Sequence, residues 1–126
     1  MITNLDFVDF VINRPEELSK KFQLKNEQYI GQYTGESSIS KCGELANFRI
    51  GALLKHGQAG YSDMYDCAKD YVRKHIAYIE SHGIYSDAVE ESLGDIAIYA
   101  VIMMYMKACY EQERKVKLAQ IKGEAK

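Results

Sequence analysis

Glu91 and Asp95 are the residues of this 126-residue chain whose types and spacing best suit chemistry. They lie four positions apart, which in an α-helix sets both carboxylates on one face, one turn from each other. Like charges at that spacing destabilise an isolated helix by about 0.2–0.5 kcal/mol. Asp95 also abuts the most apolar run of the chain, Ile96 to Met106, where desolvating a carboxylate costs more. A divalent cation converts that repulsion into binding. Mg²⁺ takes one or two protein carboxylates and completes its octahedron with waters and substrate phosphates, so the pair is a candidate Mg²⁺ site, with Mn²⁺ as the near substitute. The plainer reading, an acidic first turn stabilised by the positive helix end near Ser86, suffices for Glu90. It fits Asp95, deeper along the helix, less well.

The elements that must carry these groups read as helices throughout. The sequence holds one proline and no sustained alternation of apolar and polar residues, whereas 3.6-residue periodicity and capping residues recur. Thr3 is placed to cap a short first helix, Asn4 to about Val11. Pro15, followed by Glu16 and Glu17, opens a second that runs to about Tyr29. Gly31 to Ser38 reads as a loop, mobile enough to cover a site, and it lacks the lysine and preceding strand of a phosphate-binding P-loop. Ser37 or Ser38 caps a third helix with Ile39, Cys42, Leu45, Ile50, Leu53 and Leu54 along its apolar side, ending at Gly57. Ser62 starts a fourth, its stripe formed by Met64, Cys67, Tyr71, His75, Tyr78 and Ile79, with Gly83 as its stop. Ser86 caps a fifth that meets no breaker before Gly123. At 1.5 Å per residue such a helix is roughly 50 Å long, more than a domain of this size spans, so a second copy or a frayed tail must accommodate it.

The expectation is therefore a single all-α domain over residues 1–126, a bundle of four to five helices with a core at about 14–110 and a basic tail at 114–126. Apolar residues make up 47% and charged residues 27%, an ordinary globular balance that excludes a disordered or low-complexity chain. Sixteen basic against eighteen acidic residues, a net charge of −2, argue against an extended nucleic-acid surface. Cys42, Cys67 and Cys109 are odd in number and widely spaced, which supports neither a disulfide framework nor a zinc knuckle and fits a reducing cytoplasm. The acidic N-terminus is unlike a secretory signal, and the Ile96–Met106 run is far shorter than the roughly 20 residues that cross a bilayer, so it reads as a buried helix.

The segment Glu91-Ser92-Leu93-Gly94-Asp95-Ile96-Ala97-Ile98-Tyr99-Ala100 carries a resemblance to a known family. It is similar to the "acid, Ser/Thr, Leu, x, Asp, Leu/Ile, Ala, x, Tyr, Ala" helix of the phage-associated nucleotide-modification domain, related to the all-α MazG-like nucleoside triphosphate pyrophosphohydrolases. Upstream, Lys25-Asn26-Glu27-Gln28-Tyr29 resembles that family's Lys-Asn-x-x-Tyr turn, although isoleucine separates Tyr29 from Gly31. Cys42-Gly43-Glu44-Leu45-Ala46-Asn47-Phe48-Arg49 resembles the helix that presents an acid and then an arginine. The likeness covers residues 18 to 110. It implies Glu44, Glu91 and Asp95 as catalytic metal ligands, Asn47 as a weaker ligand, and Lys25, Tyr29, Arg49 and Lys55 as substrate contacts. MazG-like enzymes pair E-x-x-E with E-x-x-D, whereas this chain offers Glu44-x-x-Asn47 and Glu91-x-x-x-Asp95. A neutral Asn47 keeps open a module that binds nucleotide, or another protein in an inhibitory role, without hydrolysis.

Other polar residues have simpler explanations. His56 and His82 stand beside helix-ending glycines, where an imidazolium meets the helix dipole, and His75 lies on an apolar stripe as a core or interface histidine. Spacing alone supports no Ser/His/Asp or Cys/His grouping. The ten tyrosines suit helix seams or a dimer interface, with Tyr29, Tyr33 and Tyr99 open to stacking on a base. The expected function is Mg²⁺-dependent conversion of a nucleoside triphosphate to monophosphate and pyrophosphate by a homodimer or higher homo-oligomer, in a bacterial cytoplasm or, for a phage protein, that of its host.

Overall fold

A computed structural model describes residues 5–32 and 44–124. Among them the chain is all-α, four helices and one 3-10 turn with no strand. Helix α1 spans Phe7–Gln32, α2 Glu44–His56, α3 Tyr61–His82 and α4 Ala88–Glu124, and the turn Gly83–Tyr85 joins α3 to α4. The chain divides into two compact units, Met1–Ala46 and Asn47–Lys126.

In the first unit Asp6 rather than Thr3 caps α1, its carboxylate accepting the Asp9 N–H at 2.9 Å. Thr3 itself lies outside the described residues. Pro15 does not open a new helix; it sits inside α1. A proline there deprives the Val11 carbonyl of its helical donor, but Val11 is exposed and water can serve that oxygen. The ion pairs Arg14–Glu17 and Glu16–Lys20 lie along the turns that follow. The helix also continues through Gly31 and Gln32, which the sequence assigned to a loop. The rest of that loop, the Ser37/Ser38 cap, Ile39 and Cys42 lie outside the described residues.

The second unit is built on α3 and α4 running antiparallel. Tyr61 at the start of α3 meets Cys109, Tyr71 meets Tyr99, and His75 meets Ser92. Met64, Cys67 and Ala68 from α3 are buried, as are Val89, Ser92 and Met106 from α4. Gly60 rather than Ser62 is the N-cap of α3, with its N–H donating to the Asp63 carboxylate at 3.1 Å. The helix stops fall where glycine predicts them: Gly57 (φ 71°) ends α2 with its N–H on the Leu53 carbonyl, and Gly83 (φ 62°) ends α3. Ser86 offers its carbonyl, not its hydroxyl, to the first turn of α4, because the hydroxyl lies 3.2 Å from that of Tyr78.

The buried side of α2 is not the expected Leu45/Ile50/Leu53/Leu54 stripe. Phe48 and Ala52 are buried, while Ile50, Leu53 and Leu54 are exposed. Two contacts decide the face. Phe48 sets its ring edge-on to both Tyr71 and Tyr99, at 5.5 and 5.9 Å. Gly51 lets α2 approach α3 so closely that a Cβ there would fall 2.7 Å from Cys67 Sγ.

Helix α4 has 37 residues, roughly 55 Å of helix at 1.5 Å per residue. Its antiparallel neighbour ends at Tyr61, opposite Cys109, and α4 runs on from there through exposed residues. The Ile96–Met106 segment is not the buried helix expected: Val101, Met104 and Tyr105 are each more than half exposed, because α3 covers one side only. By length and composition α4 is a candidate membrane-crossing helix, with 17% of its most apolar stretch buried within the chain.

Candidate functional site

The acid pair sits where α4 first packs against α3. Glu91 is exposed, and Asp95, one turn further, is half-buried with a side chain 27% accessible. The neighbour of Asp95 is His75 of α3, whose Nε2 lies 3.7 Å from Asp95 Oδ2. The other ring nitrogen, Nδ1, lies 3.3 Å from the hydroxyl of Ser92, which is buried. Spacing gave no Ser/His/Asp grouping, yet the fold assembles one, since α4 carries Ser92 and Asp95 three residues apart and α3 delivers the imidazole between them. Behind it stands an aromatic cluster: Tyr99 lies 5.7 Å from the His75 ring and 5.9 Å from both Phe48 and Tyr71.

Carboxylates elsewhere in this unit are treated differently. Lys55 reaches Asp70 at 2.6 Å and Asp66 at 3.1 Å, His56 Nε2 reaches Asp66 at 2.8 Å, and Lys69 and Arg73 add pairs to Asp66 and Asp70. Hydrogen bonds from Lys55, Lys69 and His56 hold the Asp66 carboxyl far below the usual range, Lys55 lowers Asp70, and both aspartates raise Lys55. This network fastens the end of α2 to α3. It commits Lys55 to two carboxylates, although the resemblance assigned it to phosphate.

The other expected site residues fall as follows. Asn47 is half-buried and already engaged within the chain. Arg49 carries a buried Nε with no hydrogen-bond partner. Lys25 is exposed on α1. The side chains of Glu44 and Tyr29 lie outside the described residues. His82 caps as expected, its Nδ1 2.9 Å from the Tyr78 carbonyl and its ring stacked on Tyr78 at 3.9 Å, whereas His56 serves the Asp66 network.

Among the described residues no three His, Cys, Asp or Glu side chains converge as a metal cage. Mg²⁺ does not require one. It is a hard cation that takes one or two carboxylates and leaves its other positions to water and phosphate, and Glu91 with Asp95 supplies an all-oxygen donor set of that kind. His75 and Ser92 are the participants that sequence reasoning missed: Ser92 stood inside the quoted motif, and the 17-residue separation from His75 gave no local signal. No protein-family profile, curated protein or solved structure matches the chain.

Proposed function

We propose that this chain is a Mg²⁺-dependent nucleoside triphosphate pyrophosphohydrolase, working in the cytoplasm as a homodimer. One observation carries the reading. Half-buried Asp66 and exposed Asp70 are each held by a lysine within hydrogen-bond range, but Asp95 has only an imidazole at 3.7 Å, beyond that range, with a second carboxylate one turn away. That leaves its oxygens open to a cation. Glu91 and Asp95, with Asn47 as the weaker ligand the resemblance adds, would hold the metal against the phosphates. A metal held there would supply charge neutralisation at the phosphoryl oxygens. One carboxylate would orient the attacking water and take its proton as the water oxygen bonds to the α-phosphorus and the bond to the bridging oxygen breaks, releasing pyrophosphate and leaving the monophosphate. The resemblance adds Arg49 as a phosphate contact, and its buried Nε, without a hydrogen-bond partner, suits stabilising developing negative charge.

The engagement of Asn47 within the chain favours a second reading, a nucleotide-binding or inhibitory module that has the fold without turnover. A liquid-chromatography screen for pyrophosphate release from the common nucleotides, with and without Mg²⁺ or Mn²⁺, separates the two. Turnover that requires metal supports the enzyme. Nucleotide binding with no product on any substrate supports the module.

A further inference from the structure

Ser92 is a hydroxyl in an apolar seam, and its position has a consequence for the carboxylate three residues on. Its Oγ lies 3.3 Å from His75 Nδ1, and His75 Nε2 lies 3.7 Å from Asp95 Oδ2. A neutral imidazole carries one proton, on one nitrogen or the other. With that proton on Nδ1, the Nε2 lone pair would face a carboxylate that can only accept. With it on Nε2, the N–H faces Asp95, and the Ser92 hydroxyl, free to rotate, donates to the Nδ1 lone pair. Only the second arrangement lets the Ser92 hydroxyl donate and turns an N–H rather than a lone pair toward Asp95. Contact with Tyr99 at 5.7 Å holds the ring between them.

We propose that Ser92 and His75 form a positioning relay for Asp95. Ser92 fixes the Nε2–H tautomer of His75, which turns the positive edge of the ring toward Oδ2 and holds the Asp95 side chain in one orientation. The distance is too long for a hydrogen bond, so the contact orients the carboxylate without occupying its lone pairs, which stay available to a cation. The functional part of this inference rests on the reading of Asp95 as a Mg²⁺ ligand; the tautomer does not.

The test has two readouts on full-length protein. Long-range ¹H–¹⁵N correlation spectra at about pH 8, where an ordinary imidazole is neutral, report the tautomer without metal, with His75→Gln assigning the resonances. Wild type should show the Nε2–H form, Ser92→Ala a mixture, and Ser92→Thr, which keeps the hydroxyl, the wild-type pattern. Titration with Mg²⁺ alone should show affinity weakened about 10- to 100-fold in Ser92→Ala and His75→Gln, the size typical of groups that support a metal ligand. An Nδ1–H form in wild type, or a Ser92→Ala spectrum identical to wild type, overturns the relay. Wild-type protein with the Ser92-dependent tautomer but no response to Mg²⁺ overturns the metal reading and leaves the Ser92–His75 pairing supported.

Discussion

Asp95 faces an imidazole alone, while Asp66 and Asp70 each hold at least one permanent cation, and that difference decides what its removal should do. Asp95→Asn takes away a charge whose neighbour can be neutral, so no buried partner is stranded. It also relieves repulsion with Glu91. We expect the folded protein to keep its stability within about 1 kcal/mol and to lose pyrophosphate release by about a thousandfold, the scale of several kcal/mol of lost charge stabilisation. A melting curve and a turnover assay on one preparation check this. A loss of several kcal/mol of stability, the cost of breaking a buried ion pair, would instead make Asp95 structural. Metal binding gives a companion prediction. At about a hundred times its dissociation constant, Mg²⁺ adds roughly 2.7 kcal/mol and raises the melting temperature by several degrees. A melting curve unchanged in millimolar Mg²⁺ and Mn²⁺, alone and with nucleotide, or an equal response in Glu91→Gln, would refute the site.

Between elements, the seam of α2 against α3 is set by absence of bulk at Gly51 and by charge at its far end. An added methyl at Gly51 would meet Cys67 Sγ at 2.7 Å, and overpacking of that kind costs about 1–3 kcal/mol against a helix-propensity gain of about 1. Gly51→Ala should therefore destabilise wild type in urea but stabilise a Cys67→Ala background, a change of sign that a double-mutant cycle reads directly. The charged end has a pH signature. Asp66 and Asp70 titrate lower in the folded chain than in the unfolded one, so their contribution is present above about pH 4 and is lost as pH falls through the folded values. Asp66→Asn should flatten the acid limb of the stability profile, and added salt should shrink the difference. Sequence made the helices and their glycine stops legible because periodicity and positive φ are local properties. It misplaced the break at Pro15 because an exposed carbonyl can do without its donor. It misplaced the buried face of α2 because the apolar stripe drawn through Leu45, Ile50, Leu53 and Leu54 passed over Phe48, whereas ring packing on Tyr71 and Tyr99 fixed the side. The acid pair was visible in its i, i+4 spacing, but the histidine that orients it arrives from another helix.

For the whole molecule, the question is what meets the uncovered face of α4. Leu93, Ala97, Val101, Met104 and Ala108 recur at spacings of three and four along the side away from α3, and Leu93, Val101 and Met104 are 51%, 62% and 69% exposed. A bilayer and a second copy are two environments that suit such a face. Membrane insertion is opposed by the partner helix: α3 lies along α4 and carries Asp66, Lys69, Asp70 and Arg73, whose charges would enter the hydrocarbon with it. A second copy imposes no such cost. Two α4 helices packed about a two-fold axis would cover each other's exposed stripe with equivalent residues, and their length would span both protomers. We expect wild-type protein to sediment as a dimer at tens of micromolar. Val101→Lys combined with Met104→Lys, which sets like charges across that axis without touching the α3 side, should yield a folded monomer with an unchanged helical spectrum. Sedimentation equilibrium on both proteins decides it. A compact wild-type monomer would overturn the dimer, and flotation with lipid vesicles of wild type but not of the double-lysine variant would show that the face belongs to a membrane, because α1 also exposes apolar side chains and only loss on substitution assigns the binding to α4.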